Sequence, residues 1–250
     1  MTVRTVAGRG DITPDDGSLL ISIGVFDGLH LGHAWLLEHL VREARLRSVR
    51  PAVITFDAHP DAVLVGAAPP LLMDPRERLE RLGDLGVEVV VIEHFDDALR
   101  LTRYDAFVAG ITERCRLAGF VMTPDAAFGH ERGGTPAAIA ELGRREGFEV
   151  VLVPPFTLEG REVRSSEIRA AIAAADFGTA ERLLGRPYAI CGDVDAAGLV
   201  AFPMPVALPP AGTYRATVAG ALGELAVGSD GSVRLAAGPP GRVRIELTSD

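Results

Sequence analysis

The strongest constraint on this chain's fold is an alternation of two apolar periods. Near-continuous apolar runs fall at 19–26, 52–56, 87–92, 120–122 and 148–153. Between them, apolar residues recur with helical spacing: Leu36, Leu37, Leu40, Val41 and Ala44 in one segment, Phe107, Val108, Ile111 and Leu117 in another. A strand that is apolar at every position needs cover on both faces, and strands joined through helices pair in parallel. The expectation is an α/β domain with a mostly parallel sheet. With 250 residues the chain can bury a full core and add a smaller second domain.

The pattern changes after Gly185-Arg186-Pro187. From there the chain is rich in Gly, Pro, Ala and Val, with short β-like runs at 213–218, 223–227 and 242–247 and a turn signal at Ser229-Asp230-Gly231. The expected division is an α/β domain over 1–186 and a small β-rich domain over 187–250, without internal repeats. The 34 acidic and 25 basic residues give a net charge of −9. That balance argues against nucleic acid as a partner, so any phosphate chemistry must come from a local site. Cys115 and Cys191 have no metal-ligand or disulfide spacing and read as reduced thiols. No stretch has the length or flanks of a signal peptide or membrane span, so the expected location is cytoplasmic, with no membrane partner.

Within this frame one loop concentrates chemistry: Gly24-Val25-Phe26-Asp27-Gly28-Leu29-His30-Leu31-Gly32-His33. It follows the first buried run and leads into a helix starting near His33, so it lies at the carboxyl end of a parallel strand, where open α/β sheets bind ligands. A helix N-terminus there offers free N–H groups and positive dipole potential to an anion. Gly28 and Gly32 let the backbone approach a phosphate, and two imidazoles separated by two residues can donate to oxygens of one phosphate. Zinc ligation is a competing reading, without a third ligand at usual spacing nearby. Surface histidines at a helix start are the bland alternative.

The segment resembles the G-x-F-D-G-V-H-x-G-H motif of the bacterial FAD synthetases, the adenylyltransferase half of bifunctional riboflavin kinase/FAD synthetase enzymes. Three further resemblances follow in the family's order. Thr55-Phe56-Asp57-Ala58-His59-Pro60 is similar to T-F-x-P-H-P, Asp125-Ala126-Ala127-Phe128-Gly129 to D-F-x-F-G, and Val163-Arg164-Ser165-Ser166-Glu167-Ile168-Arg169 to V-S-S-T-x-I-R. The likeness covers roughly residues 18 to 188, ending in Leu184-Gly185-Arg186-Pro187-Tyr188. It implies a Rossmann-like nucleotidylyltransferase domain that transfers AMP from ATP to FMN, giving FAD and pyrophosphate, with Mg²⁺ carried on the ATP phosphates. His30, His33, Ser165, Ser166 and Arg169 are then the catalytic residues. These five, with Gly24, Val25, Phe26, Asp27 and Gly28, form the nucleotide site, and His59, Asp125 and Phe128 meet the acceptor.

Each match also has its own physical reading. Ser165 and Ser166 open an apolar-periodic helix, where hydroxyls cap the helix or bind phosphate oxygens. Arg169 adds a fixed charge suited to pyrophosphate. His59 also reads as a turn histidine, Asp125 as either a substrate or metal contact or a turn residue after Pro124, and Phe128 as either an acceptor contact or core. Departures lie mostly on the acceptor side: Thr123 for a glycine, Ala126 for a phenylalanine, Ala58 for a proline, and Glu162 where a basic residue is frequent. Ala126 and Ala58 motivate a second reading, transfer to another phosphorylated acceptor or from CTP. A third is a catalytically weak nucleotide- or flavin-binding protein. In the tail, Ala201-Phe202-Pro203-Met204-Pro205-Val206 is similar to the kinase's G-F-P-T-A-N. Met204 and Val206 stand where the resemblance implies metal- and phosphate-binding Thr and Asn, and neither offers the hard oxygen ligands Mg²⁺ requires. The tail is expected to be too short for a full kinase barrel and to lack riboflavin kinase activity.

Overall fold

The computed structural model describes residues 3–236, 238 and 240–248, which divide into two compact units. One takes in the described residues up to Phe26 with Gly32–Pro69 and Leu79–Phe156; the other takes in Asp27–Leu31, Pro70–Arg78 and the described residues from Thr157 onward.

The first unit is built on a six-stranded, wholly parallel sheet. Its strands are β1 (Arg4–Ala7), β2 (Ser18–Ile23), β3 (Arg50–Phe56), β4 (Val89–Glu93), β5 (Arg116–Met122) and β6 (Glu149–Leu152), in the order β1-β4-β3-β2-β5-β6. Five correspond to the apolar runs. The sixth, β1, was not legible, because it has four residues and buries only Val6, too little for either period to register. The helices of this part of the chain are α1 (Leu31–Leu46), α2 (Asp61–Leu64), α3 (Pro75–Asp84), α4 (Asp97–Arg100), α5 (Tyr104–Thr112) and α6 (Pro136–Glu146). On α1 the expected stripe is buried at Leu37, Leu40, Val41 and Ala44, each leucine contributing about 1.5–3 kcal/mol. Leu117, expected to extend the stripe of α5, instead sits in β5, because that helix ends at Thr112.

From β2 the chain adds β3 and then β4 on one side, and β5 on the other. The reversal beside β2 is a topological switch point, and the loops leaving β2 and β5 open there. The pairing of these two strands carries an irregularity between Leu19 and Leu20, opposite Leu117 and Gly119. Gly119 is required: at φ +155°, a Cβ would stand 2.2 Å from the Glu149 carbonyl oxygen of β6.

The second unit contains a short hairpin, β7 (Thr157–Leu158) and β8 (Arg161–Glu162), and two helices, α7 (Ser165–Ala173) and α8 (Phe177–Leu184). Six further strands follow: β9 (Tyr188–Val194), β10 (Leu199–Ala201), β11 (Gly212–Val218), β12 (Ala221–Val227), β13 (Val233–Leu235) and β14 (Gly241–Leu247). They close an antiparallel barrel in the order β10-β13-β12-β11-β14-β9. Strands of three to seven residues close this small ring, filled by alternate residues such as Val243, Ile245 and Leu247. Leu72, Ile168, Ile172, Phe177 and Leu184 belong to the same apolar cluster as the barrel interior. Among the described residues no helix is long and apolar enough to cross a membrane.

Candidate functional site

In the first unit the chain leaves β2 still attached to β3. The Gly24 amide donates to the Ile54 carbonyl at 3.0 Å, and the Thr55 hydroxyl donates to the Val25 carbonyl at 3.1 Å. Phe26 then takes a left-handed conformation, φ 52°, and its ring folds back so that a Cβ on Gly24 would meet it at 3.1 Å. The buried Phe26 ring meets the His33 ring edge-on, centroids 5.3 Å apart, which fixes the imidazole on the first turn of α1. His59 lies three residues beyond the end of β3. Its Nδ1 accepts the Asp61 amide at 3.2 Å, which leaves the proton of the neutral ring on Nε2. Asp125 is exposed in a turn closed by the Ala126 amide and the Thr123 carbonyl, and accepts the Thr123 hydroxyl at 2.8 Å. Phe128 packs against Phe107 and Phe120, centroids 5.5 and 5.7 Å away.

The second unit gathers the other predicted residues. Asp27–Leu29 forms a tight turn in which Gly28 and Leu29 have φ 78° and 38°. For leucine such a conformation is costly and persists only where the surroundings over-determine it. They do so here. Arg186 donates to the Gly28 carbonyl at 2.5 Å and to the Leu29 carbonyl at 3.1 Å. The Asp27 carboxylate, buried, accepts the Leu72 amide on both oxygens at 3.0 and 3.1 Å, and Arg169 at 2.5 Å. Arg169 also donates to the Pro70 carbonyl at 2.8 Å.

Ser165 was expected to cap α7 or to bind phosphate. The cap position falls to Arg164, whose side chain makes no capping bond, while the Ser165 hydroxyl donates to the Asp27 carbonyl at 3.2 Å. The cap reading is corrected, since the hydroxyl reaches the turn rather than its own helix. Ser166 is exposed on the first turn of α7.

His30 is buried in this setting. Burial first, then the guanidinium groups of Arg186 and Arg169, push its pKa down to about 4, so the ring is neutral at pH 7. The neutral imidazole thus lies near two guanidinium groups, one of which, Arg169, is paired with the Asp27 carboxylate. Arg186 escaped the sequence reading. Its signal was its place between Gly185, which ends α8 in a left-handed conformation, and Pro187; both neighbours fix the backbone from which it reaches the turn.

A six-stranded parallel sheet with helices, whose loops open at a topological switch point, defines the class of open α/β proteins that bind ligands at the carboxyl ends of their strands. The family model described as FAD synthetase matches residues 12–167, and the chain belongs to that family. It is 34% identical over 176 residues to the bifunctional riboflavin kinase/FMN adenylyltransferase of Haemophilus influenzae, covering 70% of this chain and 57% of that one. With the protein of the same name from Escherichia coli K12 it shares 32% over 183 residues, covering 72% and 58%. The aligned stretch thus spans less than two thirds of either relative's length. Among solved structures, that of a macrolide-efflux protein from Streptococcus pneumoniae superposes with a TM-score of 0.81, covering 99% of this chain and 90% of that one. At 23% identity that likeness speaks for the fold alone.

Proposed function

We propose that the protein transfers the adenylyl group of MgATP to FMN, forming FAD and pyrophosphate. The observation that carries this reading is the buried neutral imidazole of His30 beside Arg169 and Arg186; family membership supplies the acceptor. A phosphate oxygen of FMN attacks the α-phosphorus of ATP. The new P–O–P bond forms as the bond to the β-phosphate breaks, and pyrophosphate leaves with the electron pair. Because the nucleophile is already an anion, no general base is required, and catalysis consists of positioning and charge stabilisation.

In this scheme His30 donates to an oxygen on the reacting phosphorus, and His33 takes the same task on the motif resemblance. Ser165, Ser166 and Arg169 hold the polyphosphate. Arg169 is also paired with Asp27, so in this scheme phosphate shares the guanidinium with that carboxylate. Gly24, Val25, Phe26, Asp27 and Gly28 shape the nucleotide loop, and His59, Asp125 and Phe128 are assigned to the acceptor. Among the described residues no group of three or more His, Cys, Asp or Glu side chains is placed to hold a metal ion. In this scheme Mg²⁺ arrives on the ATP phosphates, and Asp125 is the side chain the sequence offers as a contact to it.

The second reading, another phosphorylated acceptor or CTP, rests on Ala126 and Ala58 in the acceptor segments, while the Phe128 ring, assigned to the flavin, packs against Phe107 and Phe120. The test is pyrophosphate release from MgATP or MgCTP with FMN, with riboflavin and without acceptor, products being identified by mass. FAD formed only with ATP and FMN supports the proposal. Nucleotide turnover with FMN inert favours the second reading. We also propose that the barrel lacks riboflavin kinase activity, because Met204 and Val206 offer no oxygen side-chain ligand; FMN produced from riboflavin and MgATP would overturn this.

A further inference from the structure

We propose that the barrel positions the nucleotide loop for adenylyl transfer: it grips residues 70–78 as a strap whose Leu72 amide holds the Asp27 carboxylate. This rests on the function proposed above.

The grip has two parts. The first is backbone. The Leu71 amide donates to the Pro205 carbonyl at 2.8 Å, and the Ala207 amide donates to the Leu71 carbonyl at 2.8 Å. These bonds form an isolated parallel bridge from Leu71 to Val206, one of the positions that departs from the kinase-like pattern. The Tyr188 hydroxyl, buried, donates to the Ala207 carbonyl at 2.6 Å and so holds the barrel side of the bridge.

The second part is ionic. Asp74 and Glu77 share one face of the start of α3, and Arg242 and Arg244 share one face of β14. Arg242 meets Asp74 at 2.5 Å, Arg244 meets Glu77 at 3.1 Å, and the Cys191 thiol of β9 lies 3.5 Å from the other oxygen of Glu77. Asp74 and Glu77 are 7% and 9% exposed. In both pairs the carboxylate is buried while the guanidinium side chain is about a third exposed (32% and 33%), so their directionality can specify register more than they add stability. The observed register delivers Leu72 to Asp27, while Arg169 bonds both the Asp27 carboxylate and the Pro70 carbonyl. Arg242, Arg244, Asp74 and Glu77 are thus positioning residues, acting through Leu72 and Asp27.

The test compares full-length wild type with Arg242→Lys, Arg242→Met and the double variant Asp74→Asn/Arg242→Leu. Asp74 also caps α3 by accepting the Arg76 and Glu77 amides at 2.9 and 3.3 Å; asparagine preserves that cap, and the buried guanidinium of Arg78, which lies near both Asp27 and Asp74, keeps Asp27 as its anion. The readouts are kcat and KM for MgATP in FAD synthesis, and hydrogen exchange at the amides of 27–31, 70–74 and the barrel. The expected result for the double variant is a kcat about tenfold lower, with KM changed less than about threefold. The Leu72 amide should exchange about tenfold faster while barrel amides stay protected, and Arg242→Lys should recover most of the kcat. Wild-type kcat and slow Leu72 exchange in the double variant would overturn the proposal, as would faster exchange spread evenly through the barrel. Failure of the underlying function would look different: wild type would make no FAD, and Leu72 exchange in the double variant would still decide whether Arg242 holds the strap.

Discussion

Neutralising the pH response of one imidazole is the sharpest perturbation the second unit offers. An ordinary histidine has a pKa of about 6.5, and His30 is held down to about 4 by burial and by the two nearby guanidinium groups. In the interval between these values the unfolded chain binds more protons than the folded one. The stabilisation is therefore complete above pH 6.5 and is lost as pH falls towards 4. A difference of roughly 2.5 pKa units at 1.36 kcal/mol each is worth about 3 kcal/mol. His30→Gln puts a neutral amide in the same place and removes this contribution. Urea unfolding of wild type and variant at pH 7.5, 5.5 and 4 isolates it, because the other titrating groups largely cancel in the difference. Wild type minus variant should fall by about 3 kcal/mol across the window. A difference that stays flat would refute the claim that the ring is held neutral by its surroundings.

His33→Ala should lower kcat by roughly a hundred- to a thousandfold while leaving MgATP binding by calorimetry within a few-fold, because its assigned work lies in the transition state. Gly28→Ala should cost at least about 1 kcal/mol in urea unfolding, since φ is +78° and the new Cβ would sit 3.0 Å from the Leu72 side chain; a neutral effect would show that the turn is not constrained. Cys191 should resist alkylation in the folded protein at pH 8, because burial and the nearby Glu77 push its thiol up to about 12; rapid labelling, followed by intact mass, would contradict that environment.

The sheet was legible because buried parallel strands leave a signal at every position, as in the run containing Leu19, Leu20 and Ile21. β1 left none, since its single buried residue makes no pattern and its pairing with β4 is long-range. The barrel was half visible. β11, β12 and β14 announced themselves, whereas β10 and β13 have three residues each and gain their identity only from closure. Within the candidate site, side chains carrying recognisable chemistry could be named from sequence, including His30, Ser165 and Arg169. What holds them was hidden: the Leu72 amide, the carbonyls of Gly28 and Leu29 and the Pro70 carbonyl are backbone groups common to many residue types. Arg186, Asp74 and Glu77 were overlooked because a charged residue in sequence looks solvated until its burial is known.

The most direct test of the account uses FMN carrying ¹⁸O at the three non-bridging oxygens of its phosphate, incubated with MgATP and the wild-type protein. Attack by that phosphate on the α-phosphorus of ATP should yield FAD retaining all three labels, with unlabelled pyrophosphate in equal amount. Pyrophosphate carrying label, FAD that has lost it, or ATP consumed without FAD would contradict the account.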